Sequence, residues 1–340
     1  MDALSALARL VERQDLNRAE AEDLFRTIMT GAATPAQTGA LLIALRMKGE
    51  TTDELAGAAS VMRELSTRVS VSADHLVDTC GTGGSGAKLF NISTAAAFVA
   101  AAAGAHVAKH GNRKASSQSG SADLLEAAGA NLAVTPEQIA HCIQEVGVGF
   151  MFAQAHHPAM KHVAPVRGEL KVRTMMNVLG PMTNPAGAKR QVIGVFDPAW
   201  QEPMAEVLGQ LGSERALIVH SQGLDEIGLA GPTEVVELQD GDIRRFTLTP
   251  NDFGLDSRST ESLEADSIDS SLKLVRESLS NPDSDAADIV AMNAAAAIYV
   301  SGIALSLKDG FDMAQDAIAS GLARERLTEF VRITSLMGES

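Results

Sequence analysis

The residues most able to do chemistry begin with a glycine-rich turn, Gly81-Thr82-Gly83-Gly84-Ser85-Gly86, into which a short predicted strand, His75-Leu76-Val77-Asp78, leads. Several glycines together let backbone N–H groups converge and approach an anion closely. A helix opening at Ser93 would bring its positive end nearby. The same glycines would also serve a bare tight turn between a strand and a helix. No GK[ST] follows, so the turn is not a Walker loop.

A second loop follows the next predicted strand, His106 to Lys109. It reads Lys109-His110-Gly111-Asn112-Arg113-Lys114-Ala115-Ser116-Ser117. Cations, hydroxyls and an amide gathered in an acidic chain are the makeup expected for a polyphosphate, although a charge run can also simply face water. In an open α/β sheet the ligand crevice lies outside the carboxyl ends of the strands, so the two loops should face each other.

The third element is Gly223-Leu224-Asp225-Glu226-Ile227, after a strand ending at His220. Adjacent carboxylates opposite a phosphate site suit Mg²⁺, which takes one or two carboxylates plus substrate oxygens. An acidic turn alone is weak evidence. The fourth holds His156, His157 and His162, then Arg167 and the run Asn177 to Pro185. The histidines lack Cys or Glu partners at zinc spacing, which favours aromatic walls and packing over a metal.

Positioning these groups requires a scaffold, and the pattern supplies two kinds. Up to about residue 67 only helices are predicted. Asn17 with Glu20, Thr34-Pro35-Ala36-Gln37 and Thr51 with Glu54 each carry a helix-start signal. From near residue 75, strand and helix alternate, with strands at Val192–Phe196 and Ala216–His220 and helices opening at Ser93, Ser121 and Thr135. That order predicts a mainly parallel sheet flanked by helices. Glu234–Leu238 and Ile243–Leu248 read as an antiparallel hairpin, and Asp256 to Asp285, rich in Ser and Asp, as the least ordered segment.

The bulk numbers bound the function. At 340 residues, one large domain plus a smaller one is expected. Acidic residues outnumber basic ones 43 to 28, giving −15, which disfavours nucleic acid and anionic membrane as partners. Cys80 and Cys142 fit reduced thiols better than a disulfide or zinc framework. The N-terminus mixes charges into a helical pattern, and Ala95–Ala103 is too short to span a bilayer, so a soluble, cytoplasmic protein is expected.

From residue 1 to near 335 the chain resembles the anthranilate phosphoribosyltransferases. The matching motifs, in the family's order, are DTCGTGG (78–84), FNIST (90–94), KHGNR (109–113), GSADLLE (120–126), GFMFAQAHHPAMKHVAPVR (149–167), NVLGPMTNPA (177–186) and GLDEI (223–227). The resemblance implies transfer of a phosphoribosyl group from 5-phosphoribosyl 1-diphosphate to the amine of anthranilate, a step of tryptophan synthesis, with Mg²⁺. It implies a helical domain over residues 1–67, joined in space by part of about 160–190, beside an α/β domain over 75–340. A homodimer through the helical part and a closing hinge are implied too.

Carried onto this chain, Gly81, Gly84, Ser85, Leu89, Asn91, Ile92, Ser93, Thr94 and Ser121, with Lys109, His110, Gly111, Asn112, Arg113, Lys114, Ala115, Ser116 and Ser117, would hold the diphosphate, ribose and phosphate. Ser93, Asp225 and Glu226 would hold Mg²⁺. Gly81, Asn112 and Arg167 would receive anthranilate, with Arg167 matching its carboxylate and His110 and His157 as walls. No residue is needed as a nucleophile. The chain departs from the family pattern at Ser85, usually aspartate, and at Lys88 and Leu89, where a hydroxyl often stands at the second position. Competing readings are a pyrimidine nucleoside phosphorylase of the same architecture, a nucleic-acid-binding relative without the sites, and a transferase acting on a related aminobenzoate.

Overall fold

The first quarter of the chain folds as its helix-start signals dictate. The computed structural model describes residues 1–84, 86, 88–113 and 120–338. Helix α1 (Ala3–Val11) is capped by the Asp2 carboxylate, which accepts from the N–H groups of Leu4 and Ser5. Helices α2 (Arg18–Met29), α3 (Pro35–Lys48) and α4 (Thr52–Glu64) each open on a reciprocal capping box, from Asn17/Glu20, Thr34/Gln37 and Thr51/Glu54. Their apolar stripes meet in a core holding Leu10, Leu24, Phe25, Leu41, Leu45 and Leu55. Each such side chain contributes about 1.5–3 kcal/mol by leaving water.

This core is not closed by the N-terminal helices alone. Val163, Met175, Val178, Leu179 and Met182 pack into it from far along the sequence. Arg63 at the end of α4 also donates to the carbonyls of Met182 (2.7 Å) and Leu211 (3.1 Å).

After the bundle come β1 (Leu76–Gly81), α5 (Ile92–Ala102), β2 (His106–Gly111), α6 (Ser121–Ala127), α7 (Pro136–Val146) and β3 (Val148–Phe152). Short helices α8 (Ala153–His156), α9 (Ala164–Leu170) and α10 (Met176–Leu179) carry the chain back toward the bundle. Then follow β4 (Arg190–Gly194), α11 (Gln201–Gln210), β5 (Arg215–His220), β6 (Thr233–Gln239) and β7 (Asp242–Leu248). Helices α12 (Ile268–Ser278), α13 (Asp285–Ser301), α14 (Leu307–Ala319) and α15 (Leu322–Met337) complete the described chain.

The sheet has seven strands in the order β3-β2-β1-β4-β5-β6-β7. The first five are parallel and the last two pair antiparallel. Successive strand residues serve opposite faces. Val192, Leu217 and Val235 enter one core, while their neighbours Ile193, Ile218 and Val236 enter the other. On the first face α5 lies against α13, both rich in alanine, while the ring pairs Phe98–Phe330 and Phe253–Phe311 fill the same core. No helix among the described residues is long and apolar enough to cross a membrane.

Several expectations change in detail. The helix expected to open at Ser93 starts at Ile92 with Asn91 as its cap residue. The strand expected at Val192–Phe196 lies at Arg190–Gly194, set by its pairing with β1 and β5. Strand β3 was not foreseen. The segment expected to be least ordered contains α12, whose Leu272 and Val275 are buried in the main core, with Ser267 capping its start. Serine and aspartate there act as caps, a role composition does not separate from disorder.

Candidate functional site

Strand order reverses between β1 and β4, since the chain runs β1-β2-β3 outward and then returns beside β1. A ligand crevice is expected at that point, and the polar residues converge there. A cavity of about 350 Å³ opens at the strand ends, lined by both predicted loops and the acidic pair.

The glycines are needed for contact. A Cβ on Gly81 would stand 2.8 Å from Asp225 Oδ2, and one on Gly194 would collide with the Asp225 backbone at 1.6 Å. The acidic turn therefore rests directly on two bare strand ends. Gly83 and Gly84 have φ of 66° and 78°, which favours glycine. The Gly83 N–H donates to Asp225 Oδ2 at 3.0 Å, and the Ser93 N–H to Glu226 Oε1 at 3.1 Å. The two carboxylates thus tie the glycine turn to the start of α5.

Beneath them lies a group of buried charges. Lys109 Nζ donates to the Thr79 carbonyl (2.5 Å) and to Ser93 Oγ (3.3 Å). Burial pulls the Lys109 pKa down, opposed mainly by the nearby Asp78. Asp78 is buried inside β1 and accepts from the His110 N–H at 3.1 Å and Gln191 Nε2 at 3.4 Å. Burial raises the Asp78 pKa. Burial, and then the charge of Asp225, push Glu226 up to about 8. A divalent cation would reverse that penalty, and a carboxylate pair facing an anion-binding turn is the donor set Mg²⁺ prefers. The residues present therefore fit Mg²⁺; among the described residues no His, Cys, Asp and Glu group is rich enough to hold a metal without outside oxygens.

The histidines form the inner wall. The rings of His110 and His157 lie 5.1 Å apart at 56°, and the Nε2 of each is buried without a partner. Burial lowers His110 to about 3 and His157 to about 4, so both rings are neutral near pH 7. His110 lines the crevice; His157 lies behind it. Arg167 enters from α9, and burial lowers its pKa with no carboxylate beside it among the described residues.

The structure brings most of the predicted site residues to this one cavity. Gly81, Gly84, Leu89, Asn91, Ile92, Ser93 and Thr94 line it from the first side, and Lys109, His110, Gly111, Asn112, Arg113 and Ser121 from the second. Arg167, Asp225 and Glu226 complete it. Ser85, Lys114, Ala115, Ser116 and Ser117 lie outside the described residues. Arg113 lines the cavity, yet Glu126 and Asp123 hold its guanidinium and raise its pKa. Thr94 Oγ1 is buried and without a partner.

Four supporting residues were not foreseen. Asp78 sits in a quoted motif, and a lone acid inside a strand is a signal that could have found it. Asn177 also lines the crevice, within a quoted run that carried no role. Ser271 of α12 donates to Asn91 Oδ1 at 2.8 Å across 180 residues, which no local pattern announces. Arg173 stacks over Phe196, 4.0 Å from its centroid, and donates to the Gly84 carbonyl, while Arg46 of α3 donates to the Arg173 carbonyl. Bundle and glycine turn are thereby linked across the crevice mouth.

Comparison with known proteins follows the same lines. Residues 4–66 match the helical bundle domain of a glycosyl transferase family, and residues 73–324 match its a/b domain. The anthranilate phosphoribosyltransferase of Cellvibrio japonicus is 57% identical over 342 residues, covering 99% of this chain and 100% of that protein. That of Saccharophagus degradans is 56% identical, covering 99% and 100%. Among solved structures, anthranilate phosphoribosyltransferase from Thermus thermophilus superposes with a TM-score of 0.91 at 44% identity, covering 97% of this chain and 99% of that one. The Saccharomyces cerevisiae enzyme in complex with PRPP and Mg gives 0.87 at 26% identity, covering 98% of each. Fold, crevice and relatives together establish that the chain belongs to this glycosyl transferase family, as one of its anthranilate phosphoribosyltransferases.

Proposed function

We propose that the crevice binds 5-phosphoribosyl 1-diphosphate, Mg²⁺ and anthranilate, and that the chain transfers the phosphoribosyl group to the anthranilate amine with release of diphosphate. The observation that carries this reading is the convergence in one cavity of a glycine turn, a carboxylate pair in which burial raises Glu226, and Arg167, without an ion pair among the described residues. The yeast relative is described in complex with PRPP and Mg, and another yeast structure with 4-fluoroanthranilate. Both ligands fit the donors gathered here.

In the reaction the bond from ribose C1 to the diphosphate oxygen breaks and the amine nitrogen bonds to C1. Positive charge builds on the sugar and negative charge on the leaving group. When bound, Mg²⁺ held by Asp225, Glu226 and Ser93 would neutralise diphosphate charge. Lys109, which lines the crevice, would add its positive charge against the same leaving group. Arg167 would hold the anthranilate carboxylate in a charge-assisted pair, so that the amine meets C1 within about 3–3.5 Å. Neutral His110, backed by neutral His157, would present an uncharged ring wall, and Asn112 would lie where the two substrates meet. The aryl ammonium formed is acidic enough to lose its proton without a dedicated base. Bond formation is direct, with no covalent enzyme intermediate.

The joining of part of about 160–190 to residues 1–67 is supported by Val163 to Met182 packing with α1–α4, in a core that continues onto the sheet through Ile193 and Ile218. A homodimer through the helical part is supported by Leu4, Val11 and Met47, which α1 and α3 leave exposed at 65%, 65% and 72%. Sedimentation of wild type and Leu4→Glu/Met47→Glu tests it, since an unchanged particle would remove that face from the interface. A cytoplasmic location accords with two free cysteines and the biosynthetic reaction.

The direct test follows anthranilate fluorescence after addition of 5-phosphoribosyl 1-diphosphate. Loss of signal that requires protein and Mg²⁺ together is the expected result. No loss across a range of both would overturn the assignment, with uridine phosphorolysis and substituted aminobenzoates as the next assays.

A further inference from the structure

Away from the crevice, a cleft of about 630 Å³ opens where the bundle joins the sheet. Its walls are the end of α4, the linker from Ser66 to Ser72, and the Asn184–Gly187 loop before β4. The chain itself fixes these walls. The Val69 N–H donates to the Pro185 carbonyl at 3.1 Å, and the Thr67 N–H to the His156 carbonyl at 2.8 Å. His156 Nδ1 returns a bond to the Thr67 carbonyl at 2.7 Å.

The polar content of the cleft is one-sided. Arg63, Arg68 and the hydroxyls of Ser66, Ser70 and Ser72 line it, and no carboxylate does. Some arginines elsewhere pair with acids, as Arg26 does with Glu64, Arg113 with Glu126, Arg215 with Glu237 and Arg258 with Asp285. Arg63 has two backbone carbonyls instead, which satisfy N–H groups but leave the charge uncompensated. Burial alone pulls its pKa down to about 10. Among the described residues Arg68 has no ion pair either. The cleft thus gathers two cations and, among the described residues, no acid, in a chain of net charge −15.

We propose that this cleft is a second anion site, which takes a phosphate group between Arg63 and Arg68, either free or as the terminal group of a small monoester. Guanidinium groups recognise phosphate through paired N–H donors, and the serine hydroxyls add adaptable ones. The cleft has room beyond one phosphate, within the ordinary range for small-molecule sites. A ligand there would touch both the end of the bundle and the loop that feeds β4.

Calorimetric titration with inorganic phosphate and, separately, glycerol 3-phosphate tests the site. Arg68→Gln, an exposed position, should weaken one binding component about tenfold. Ser70→Glu, which places a carboxylate in the lining, should remove that component. Both variants should keep anthranilate turnover within about twofold of wild type, because neither residue touches the crevice. Tighter binding of the ester than of phosphate identifies a monoester site, and equal binding identifies phosphate alone. Identical titrations for wild type, Arg68→Gln and Ser70→Glu would overturn the proposal. Arg63→Gln is the weaker probe, since Arg63 also holds two backbone carbonyls.

Discussion

Buried acids in two parts of this molecule meet opposite fates. Glu54, inside the helical bundle, is completely buried and accepts from the N–H groups of Leu16 (3.0 Å) and Thr51 (2.9 Å) and from Lys48 Nζ (3.0 Å). Glu226, at the strand ends, has the Ser93 N–H and hydroxyl and the charge of Lys109, which burial and the like charge of Asp225 outweigh, so its pKa is raised to about 8. The chain completes the first acid and leaves the second incomplete. Burial alone therefore does not mark a site; a buried charge whose partners the chain has withheld does.

Breaking each acid should separate the two roles. Asp225→Asn with Glu226→Gln should lower kcat/KM by about 10³-fold or more and abolish the magnesium response. Without magnesium its thermal midpoint should match or exceed that of wild type, because a disfavoured charge is gone. Undiminished magnesium dependence would end the assignment. Glu54→Ala should do the converse. Loss of about 1–3 kcal/mol in urea unfolding is expected from leaving the Leu16 and Thr51 N–H groups unpaired, since Lys48 keeps Asp15, with turnover near normal in the fraction that stays folded.

Arg167→Ala sharpens the comparison on the cationic side. KM for anthranilate should rise about 10–100-fold, with that for the sugar diphosphate changed less than about threefold. Equal changes in both would assign Arg167 to the fold rather than to the acceptor. The smallest effect concerns pH. Since His110 and His157 titrate near 3 and 4 when folded and near 6.5 when not, the unfolded chain binds more protons between those values. Stability should be complete above about pH 6.5 and decline as pH falls toward 4. His110→Asn should flatten that decline in urea midpoints taken at pH 7 and 4.5, and an unchanged slope would place the acid sensitivity elsewhere.

The sequence exposes what is local. Capping boxes placed the starts of α2, α3 and α4 to the residue, because a cap and its partner stand three positions apart. The glycine turn, Lys109 and the acidic pair were legible because their types are costly unless used. Strand β3 was hidden, since Val148 to Phe152 is a uniformly apolar run without alternation. Ser271 and Arg173 were hidden differently. Their partners, Asn91 and Gly84, are 180 and 89 residues away, and an ordinary serine or arginine carries no mark of such a contact. Arg113 lines the cavity as its charge suggests, but its two acid partners on α6 were not legible.

The composite core beneath α1–α4 has a further meaning when the chain is followed in time. Its lining includes Met175, Val178, Leu179 and Met182, so the N-terminal helices cannot seal their apolar faces until more than half the polypeptide has been made. During synthesis, which adds about 5–20 residues per second, those faces stand open for several seconds at least. The newborn chain is thus most exposed to misassembly in the segment that emerges first. Protection during translation, rather than final stability, should limit how well a shortened version of this protein can be produced.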